Sequence, residues 1–248
     1  MKISIITATY NSAATVGDTL DCIRKQDHPD VEHILVDGAS SDGTREIVSN
    51  FPHVAKWISE KDKGIYDAMN KGIRLATGDV IGILNSDDIY THSSVLSTVA
   101  HAFADPGVMT AYADLQYVQS DNTEKVLRTW RAGSFRKSNF YYGWMPPHPT
   151  FFVRKEVYSE KGLFDTSLRS AADYEIMLRI LLRHGLSTVY IPGVMVKMRA
   201  GGMSNASLGN RLRANKEDRM AWKLNGLRPY FFTLYAKPLR KISQFIIK

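Results

Sequence analysis

The N-terminal part of the chain alternates short apolar runs with segments of helical spacing. The apolar runs, which predict strands, are Ile3–Ala8, Glu32–Asp37, Ala55–Ser59 and Val80–Leu84. The segments of helical spacing lie between them, at Ala14–Lys25, Thr44–Phe51 and Ile65–Ala76. Strands that alternate with helices predict an α/β fold with a largely parallel sheet and right-handed crossovers.

The pattern is less regular beyond residue 105. Further strands are predicted at Val108–Val118, Phe151–Val153 and Ser187–Ile191, and further helices at Lys155–Gly162 and Asp173–His184. Residues Trp130–Pro149 are aromatic and rich in Gly and Pro, which predicts a loop or lid, and Ala200–Asn205 reads as a Gly-rich loop. We therefore expect one domain over residues 1–205, with halves 1–105 and 106–205, and a C-terminal extension over 206–248.

Composition excludes several classes of protein. Hydrophobic residues make up 44% of the chain and charged residues 23%, which is typical of a globular protein with a sizeable core. No apolar run is long enough to predict a transmembrane helix, and the N-terminus does not resemble a signal peptide. Cys22 is the only cysteine, so an intrachain disulfide is excluded. Together these features favour a cytoplasmic protein.

The positive charge is concentrated at the C-terminus. Residues 211–248 carry ten Lys or Arg and two acids, while the rest of the chain is close to neutral. Such a basic end indicates an anionic partner, either a membrane surface or a nucleic acid. Leu227–Lys248 mixes aromatic, basic and aliphatic residues, as interfacial amphipathic helices do, although Pro238 would interrupt the helix. A helix packed on the core is the alternative.

Polar residues follow the carboxyl ends of the predicted strands. Thr7–Asn11, Asp37 and Asp87–Asp88 come at the ends of three strands, and Asp62 lies in the loop after another. Ligands of parallel α/β sheets bind at that rim. Turn formation alone explains any one of these clusters, but their common position predicts a binding site.

Two of these clusters indicate particular chemistry. The adjacent carboxylates in Asn85–Asp88 repel each other unless a cation or hydrogen bonds neutralise them, and hard oxygen ligands suit Mg²⁺ or Mn²⁺. The alternative is a cap for a helix that begins near Ser93. An exposed Asp37 would accept hydrogen bonds from a nucleobase or ribose, while Ser41 or Asp42 would cap the next helix.

Three residues in the second half are further candidates. Asp173 opens a helix and is a candidate general base for an acceptor hydroxyl, with helix capping as the alternative. His148, between prolines, is a candidate contact to an acceptor or phosphate, or else a structural histidine. Arg199 precedes Gly201, Gly202 and Ser204 in a predicted basic loop that would close over a diphosphate, or else is a plain surface residue.

These motifs together resemble the family 2 glycosyltransferases with a GT-A fold, in particular small bacterial enzymes of exopolysaccharide, O-antigen and colanic-acid assembly. The resemblance covers residues 1–205. It rests on the ordered series Ile5–Asn11, Val36–Thr44, Glu60–Ile73, Ala76–Asp79, Leu84–Asp88, Pro147–Phe152, Asp173–Glu175 and Gly201–Ser204.

The resemblance implies roles for most of the candidate residues. Thr7, Tyr10, Asn11, Asp37 and Asp62 would contact the nucleotide, and residues 1–105 would form the nucleotide-sugar-binding half. Asp88 would bind Mn²⁺ or Mg²⁺ in a variant of the Asp-X-Asp element that has Ser86 at its first position, with Asp87 near the ribose or sugar. Asp173 would be the general base, although Ala172 stands where the family's motif has Glu.

The resemblance further implies an inverting, metal-dependent transfer of one sugar from a nucleotide-diphosphate sugar, with UDP the commonest nucleotide in the family. The acceptor would be a glycan or a polyprenyl-diphosphate-linked saccharide, and the basic tail would attach the protein to the cytoplasmic face of the inner membrane. The alternatives are a sugar nucleotidyltransferase, a basic nucleic-acid- or membrane-binding module and a catalytically inactive homologue. The Thr7–Ser12 segment lacks the Gly-rich basic loop of nucleotidyltransferases, and the basic excess is confined to the tail, so we expect no nucleic-acid partner.

Overall fold

The computed structural model describes residues 1–201 and 208–244. The strands are β1 Ile3–Thr9, β2 Val31–Asp37, β3 Val54–Ser59, β4 Val80–Ile83, β5 Asp88–Tyr90, β6 Thr110–Val118, β7 Val126–Trp130, β8 Phe152–Arg154 and β9 Thr188–Arg199. The helices are α1 Val16–Arg24, α2 Thr44–Ser49, α3 Ile65–Leu75, α4 Val95–Ala102, α5 Lys137–Tyr141, α6 Lys155–Lys161, α7 Ala172–Met177, α8 Leu208–Leu224 and α9 Thr233–Ser243. A 3₁₀ turn spans His148–Thr150, and π-helical Leu178–Arg183 continues α7.

The described strands form one mixed sheet in the order β3-β2-β1-β4-β8-β6-β9-β5, with β7 paired to the outer part of β6. The first four strands in this order are parallel, as the alternating pattern predicts. β8 is antiparallel to both β4 and β6, whereas β9 runs parallel to β6 and antiparallel to β5. The predicted α/β fold is therefore confirmed.

Helices cover both faces of the parallel part because alternate side chains of each strand point to opposite faces. Ile6 and Ile34 pack with Met69 of α3 on one face, and Leu35 packs with Leu20 of α1 on the other. The carboxyl ends of β1, β2 and β4 consequently meet at one rim of the sheet, where the loops that follow them adjoin.

Three parts of the second half differ from the sequence-based expectation. β9 continues to Arg199 instead of ending at Ile191, and its register against β6 shifts at Ala113–Leu115. β5 and β7 are strands that the pattern did not predict. The predicted lid between Trp130 and Pro149 contains α5 and buries Phe140 and Trp144, so it is part of the core.

The C-terminal extension is helical, as predicted, and its inner side packs on the domain. Trp222 of α8 is fully buried, and Leu234 of α9 is nearly so. The inner sides of α8 and α9 therefore pack on the core, which was the alternative to an amphipathic helix at a membrane surface. Among the described residues, no helix has the length and apolarity that crossing a bilayer requires. Gly202 and Ser204 of the predicted basic loop, and tail residues 245–248, lie outside the described residues.

Candidate active site

The acidic segment Asn85–Asp88 connects β4 to β5. Asp88 is the first residue of β5, and its side chain is fully buried. Asn85 Nδ2 donates to Asp88 Oδ2 at 3.2 Å, while Asp88 Oδ1 has no hydrogen-bond partner among the described residues. Burial, followed by the charge of Asp87, raises the pKa of Asp88 well above its ordinary value. The capping alternative is wrong, because α4 begins only at Val95 and Asp88 belongs to a strand.

This segment fits a divalent cation. Asn85 Oδ1 is also buried without a partner among the described residues, so two hard oxygen atoms lie close together with unused lone pairs. Within residues 1–201 and 208–244, no three His, Cys, Asp or Glu side chains form a cluster. The protein would therefore supply few ligands, as is usual for Mg²⁺ or Mn²⁺ sites that substrate phosphates complete.

Asp87 and Arg199 lie beside this buried acid. Burial raises the pKa of the half-buried Asp87. Arg199 donates from Nη1 to the carbonyl oxygen of Asp87 at 2.9 Å, donates from Nη2 to the carboxylate of Asp18 of α1 in an ion pair, and is itself buried. The prediction that Arg199 belongs to a flexible loop is wrong, because it is the last residue of β9 and the strand pairing holds it. Arg199 fixes the main chain of the acidic segment, and its contact with a diphosphate stays a prediction.

Tyr10 and Asp62 come together at the rim, above the end of β2. A Cβ atom on Gly38 would lie 2.6 Å from Asp62 Oδ2 and 3.2 Å from the Tyr10 ring, so only glycine allows this close approach. The Tyr10 side chain is exposed, and Asp62 Oδ1 accepts a hydrogen bond from the main-chain N–H of Gly64 at 2.8 Å. An exposed ring beside a carboxylate is able to stack on a base and accept hydrogen bonds from it.

Asp37 differs from the expectation of an exposed acid. It is fully buried, and its carboxylate accepts hydrogen bonds from Ser40 N, Ser40 Oγ and Ser59 Oγ. These partners occupy both of its oxygen atoms and shape the turn that leads to Gly43. The expected exposure is therefore wrong, and the nucleotide contact remains a prediction. Asp42, as expected, binds the start of α2 through Thr44 N at 3.1 Å.

Thr7 and Asn11 have structural partners. Thr7 lies inside β1, fully buried, and its Oγ1 is 3.0 Å from His33 Nε2. This partner already engages the hydroxyl of Thr7, and its contact with the nucleotide stays a prediction. Asn11 adopts a positive φ of 47°, donates its main-chain N–H to Ser40 Oγ and accepts from Ser41 N through Oδ1. Asn11 therefore joins the loops after β1 and β2, and its contact with the nucleotide stays a prediction.

Asp173 lies in the first turn of α7 and is half buried. No side-chain cap hydrogen bond is formed at this helix start, so Asp173 does not serve as the cap. Its Oδ1 accepts a hydrogen bond from the phenol of Tyr66 at 3.1 Å. Burial, followed by the charge of Asp173, raises the pKa of Tyr66 well above its ordinary value, so the phenol remains a donor. This arrangement orients the carboxylate that is the candidate general base.

His148 lies near Asp173. Its ring makes an edge-to-face contact with Phe164, whose ring also stacks on Tyr66. Burial lowers the pKa of His148, with the charge of Asp173 opposing this effect, so the imidazole is neutral at pH 7. A neutral imidazole is able to donate and accept hydrogen bonds with an acceptor hydroxyl. The structure thus brings His148 to the candidate base, as an acceptor contact requires.

Tyr117 of β6 is within electrostatic range of both carboxylates. Burial raises its pKa, and among the smaller effects are the charges of Arg128, Asp88 and Asp173. Asp88 and Asp173 therefore lie within electrostatic range of one side chain, although 84 residues separate them in sequence. The sequence pattern identified neither Tyr117 nor Tyr66 as a functional residue. Tyr66 lies within the Glu60–Ile73 motif, so the sequence offered a reason to consider it. Tyr117 lies in no motif, and its position near the site depends on long-range strand pairing.

The fold and the acids at its carboxyl rim are of the kind expected of a GT-A type α/β domain, and comparison with known proteins gives the family. Residues 4–162 match the family described as glycosyl transferase family 2. The PGL/p-HBAD biosynthesis glycosyltransferase of Mycobacterium bovis is 31% identical over 209 residues, which cover 82% of this chain and 78% of the relative. An uncharacterized glycosyltransferase of Mycobacterium tuberculosis is 31% identical over 183 residues, covering 73% and 69%. The chain belongs to glycosyl transferase family 2, and it is an enzyme, a glycosyltransferase.

Solved structures confirm the GT-A fold. Residues 1–349 of Staphylococcus aureus TarS align with a TM-score of 0.70 at 20% identity, covering 98% of this chain and 72% of the other. The Pyrobaculum calidifontis mannosyltransferase PcManGT, in complex with GDP-Man and Mn²⁺, aligns with a TM-score of 0.67 at 22% identity, covering 95% and 68%. This chain spans 43% of the longer TarS chain. A further TarS structure contains UDP-GlcNAc.

Proposed function

We propose that this enzyme transfers one sugar from a nucleotide-diphosphate sugar to an acceptor hydroxyl, with inversion and with a divalent cation. The observation that carries the proposal is the pair of unequal carboxylates near Tyr117. Asp88 is buried with an unpartnered oxygen, and Asp173 is half buried, with a phenol holding one oxygen. The first suits a cation and the second suits a proton acceptor.

The reaction divides between the two carboxylates. Asp173 accepts the proton of the acceptor hydroxyl as its oxygen forms a bond to the anomeric carbon. The bond from that carbon to the phosphate oxygen breaks, and its electron pair leaves with the nucleoside diphosphate. Asp88, with Asn85, would hold Mn²⁺ or Mg²⁺, which when bound supplies positive charge to the departing diphosphate. Attack from the face opposite the leaving group inverts the anomeric carbon.

UDP is the proposed nucleotide, with Tyr10 and Asp62 as base contacts and Asp37 and Asn11 holding the loops around them. A TarS structure with UDP-GlcNAc and the PcManGT structure with GDP-Man and Mn²⁺ support this donor class, because both share the fold. We propose a glycan or a polyprenyl-diphosphate-linked saccharide of bacterial surface polysaccharide synthesis as the acceptor, with His148 in contact with it. An acceptor of the lipid-linked kind requires the enzyme to work at a membrane.

The test is the release of nucleoside diphosphate from a panel of UDP-, GDP- and dTDP-sugars, with Mn²⁺, Mg²⁺ or EDTA. We expect slow hydrolysis of one donor that needs a divalent cation. Asp173→Asn should lower kcat about 10³-fold with the donor KM unchanged, because it removes only the proton acceptor. Asp88→Asn should abolish the effect of the metal on donor binding.

Asp30→Asn is the matched control, because Asp30 is exposed and lies at the opposite rim of the sheet. NMR of the first-formed sugar anomer reports the stereochemistry. Full turnover in Asp173→Asn, turnover in EDTA or retention of the anomeric configuration would each contradict a part of this mechanism.

A further inference from the structure

α8 and α9 pack directly behind the candidate base. Trp222 of α8 donates its indole N–H to the hydroxyl of Tyr174 at 2.9 Å. The ammonium of Lys237 in α9 lies 3.7 Å from the centre of the Tyr174 ring. Tyr174 follows Asp173 in α7, so whatever binds the outer side of these two helices is held close to the active site.

The acids of this segment face inward. Glu217 accepts hydrogen bonds from Ser170 N at 2.7 Å and from Ser170 Oγ at 2.8 Å. Asp218 is buried and pairs with Lys237 at 2.8 Å. These two are the only acids among residues 211–248, against ten Lys and Arg. The outer side of the two helices therefore carries Lys and Arg side chains, and no Asp or Glu of residues 211–248 lies there to neutralise them.

The same outer side exposes large apolar side chains. Phe231 is 90% exposed, and Tyr235 and Leu239 are each 63% exposed. Arg219 Nη2 lies 3.4 Å from the Tyr235 hydroxyl, so the outer sides of α8 and α9 adjoin. We define the outer face as the exposed residues Lys216, Arg219, Met220, Lys223, Leu224, Arg228, Tyr230, Phe231, Tyr235 and Leu239.

We propose that the outer face is a docking surface for a bilayer that contains anionic lipids. Cations attract the lipid headgroups, while Tyr and Phe side chains enter the boundary between headgroups and acyl chains. The surface is built from two packed helices and their connection, in contrast to the single amphipathic helix expected from the sequence. Its link to a lipid-carried acceptor rests on the proposed function.

Two other occupants fit less well. A second copy of the chain would bring like charges together and leave them uncompensated. A nucleic acid would use the cations and the aromatic rings, but it offers no environment for exposed Leu239 and Met220. An anionic bilayer satisfies both the charge and the aliphatic side chains.

The test is flotation of the full-length protein with phosphatidylcholine vesicles, with and without phosphatidylglycerol. We expect binding only to the anionic vesicles, weakened by salt. Lys223→Gln with Arg228→Gln should lower partitioning about thirtyfold, and Phe231→Ser should lower it about tenfold. The control is Arg45→Gln with Lys125→Gln, which removes the same charge from exposed residues elsewhere and should bind like the wild type.

Thermal melts and release of nucleoside diphosphate from soluble donor are measured on the same variants, and both should be unchanged. Equal flotation of all variants, or no flotation of the wild type, would overturn the proposed surface even with hydrolysis intact. If the wild type hydrolysed no nucleotide-sugar donor, that result would count against the proposed function alone. Binding of duplex DNA or RNA without vesicle binding, or dimerisation through these residues, would assign the face to another partner.

Discussion

Two buried carboxylates at opposite rims of the same sheet have opposite surroundings. Glu32, near the amino end of β2, is nearly fully buried and accepts from Ser4 Oγ at 2.6 Å, Thr77 N at 2.7 Å and Lys56 Nζ at 3.0 Å. Asp88, at the carboxyl rim, is at least as buried but has one donor, Asn85, and one unpartnered oxygen.

The difference shows in their protonation. Burial alone would raise the pKa of Glu32, but the hydrogen bonds from Ser4 and Thr77 and the contact with Lys56 outweigh it and hold the pKa far below its usual range. Burial raises the pKa of Asp88, and Asp87 adds to the effect. A buried acid whose oxygen atoms all accept hydrogen bonds stabilises the fold, whereas one with an unpartnered oxygen is available for a ligand.

The same chemical change at both positions should therefore have opposite effects on stability. Glu32→Gln should lower the free energy of unfolding by about 3 kcal/mol, because it removes the negative charge of a buried network and replaces one of the two acceptor oxygens with an NH₂ donor. Asp88→Asn should leave stability unchanged or raise it when no divalent cation is present. Urea denaturation at pH 7 in EDTA measures both.

The pH dependence gives a second readout of Glu32. Because its folded pKa is depressed, its stabilisation is present above the unfolded pKa and is lost as the pH falls through the folded value. The difference between wild type and Glu32→Gln should accordingly shrink below about pH 4. If Glu32→Gln and Asp88→Asn lowered the free energy of unfolding equally at pH 7, the two rims would not differ in the way described.

Asp173, in contrast to these two acids, is only half buried, and its one hydrogen bond comes from the phenol of Tyr66. Tyr66→Phe tests what that bond does. We expect kcat to fall about tenfold with the donor KM unchanged, because the carboxylate loses its orienting donor. A purely structural role for Tyr66 would instead lower thermal stability and change kcat and the donor KM together.

Tyr158→Phe is the matched control. Tyr158 packs against Phe164, as Tyr66 does, but makes no hydrogen bond to Asp173. Loss of its hydroxyl should leave kcat unchanged. The comparison would weaken if both variants lost activity equally, because the effect would then come from the aromatic packing around Phe164.

The parallel half of the sheet and the position of its ligand rim were predictable because they depend on local alternation and on a general rule for α/β sheets. β5 was not, because its three residues pair with β9, more than a hundred residues away. Pro192 and Gly193 resemble a strand end, yet β9 continues past them through a register shift against β6. That continuation places Arg199 in a strand beside Asp87.

The candidate site was likewise predictable only in part. Asp88 and Asp173 became candidates from their residue type and position, and the structure places both within electrostatic range of Tyr117. The exposure expected for Asp37 was wrong, because a motif does not reveal which way a side chain points. Asp37 faces Ser40 and Ser59, and Thr7 faces His33, so their polar atoms are already satisfied.

Thr7→Val tests the smallest of these effects. Thr7 lies within β1, two residues before its end. Burial, with a smaller effect of His53, lowers the pKa of His33 to about 3. At pH 7 the hydrogen bond between Thr7 and His33 therefore joins two neutral groups. Its loss should lower the free energy of unfolding by about 1 kcal/mol and leave the donor KM unchanged. Tyr10→Ala, three residues on and exposed, should instead raise the donor KM several-fold without loss of stability. A raised KM in Thr7→Val would show that the hydroxyl reaches the nucleotide and that His33 is not its working partner.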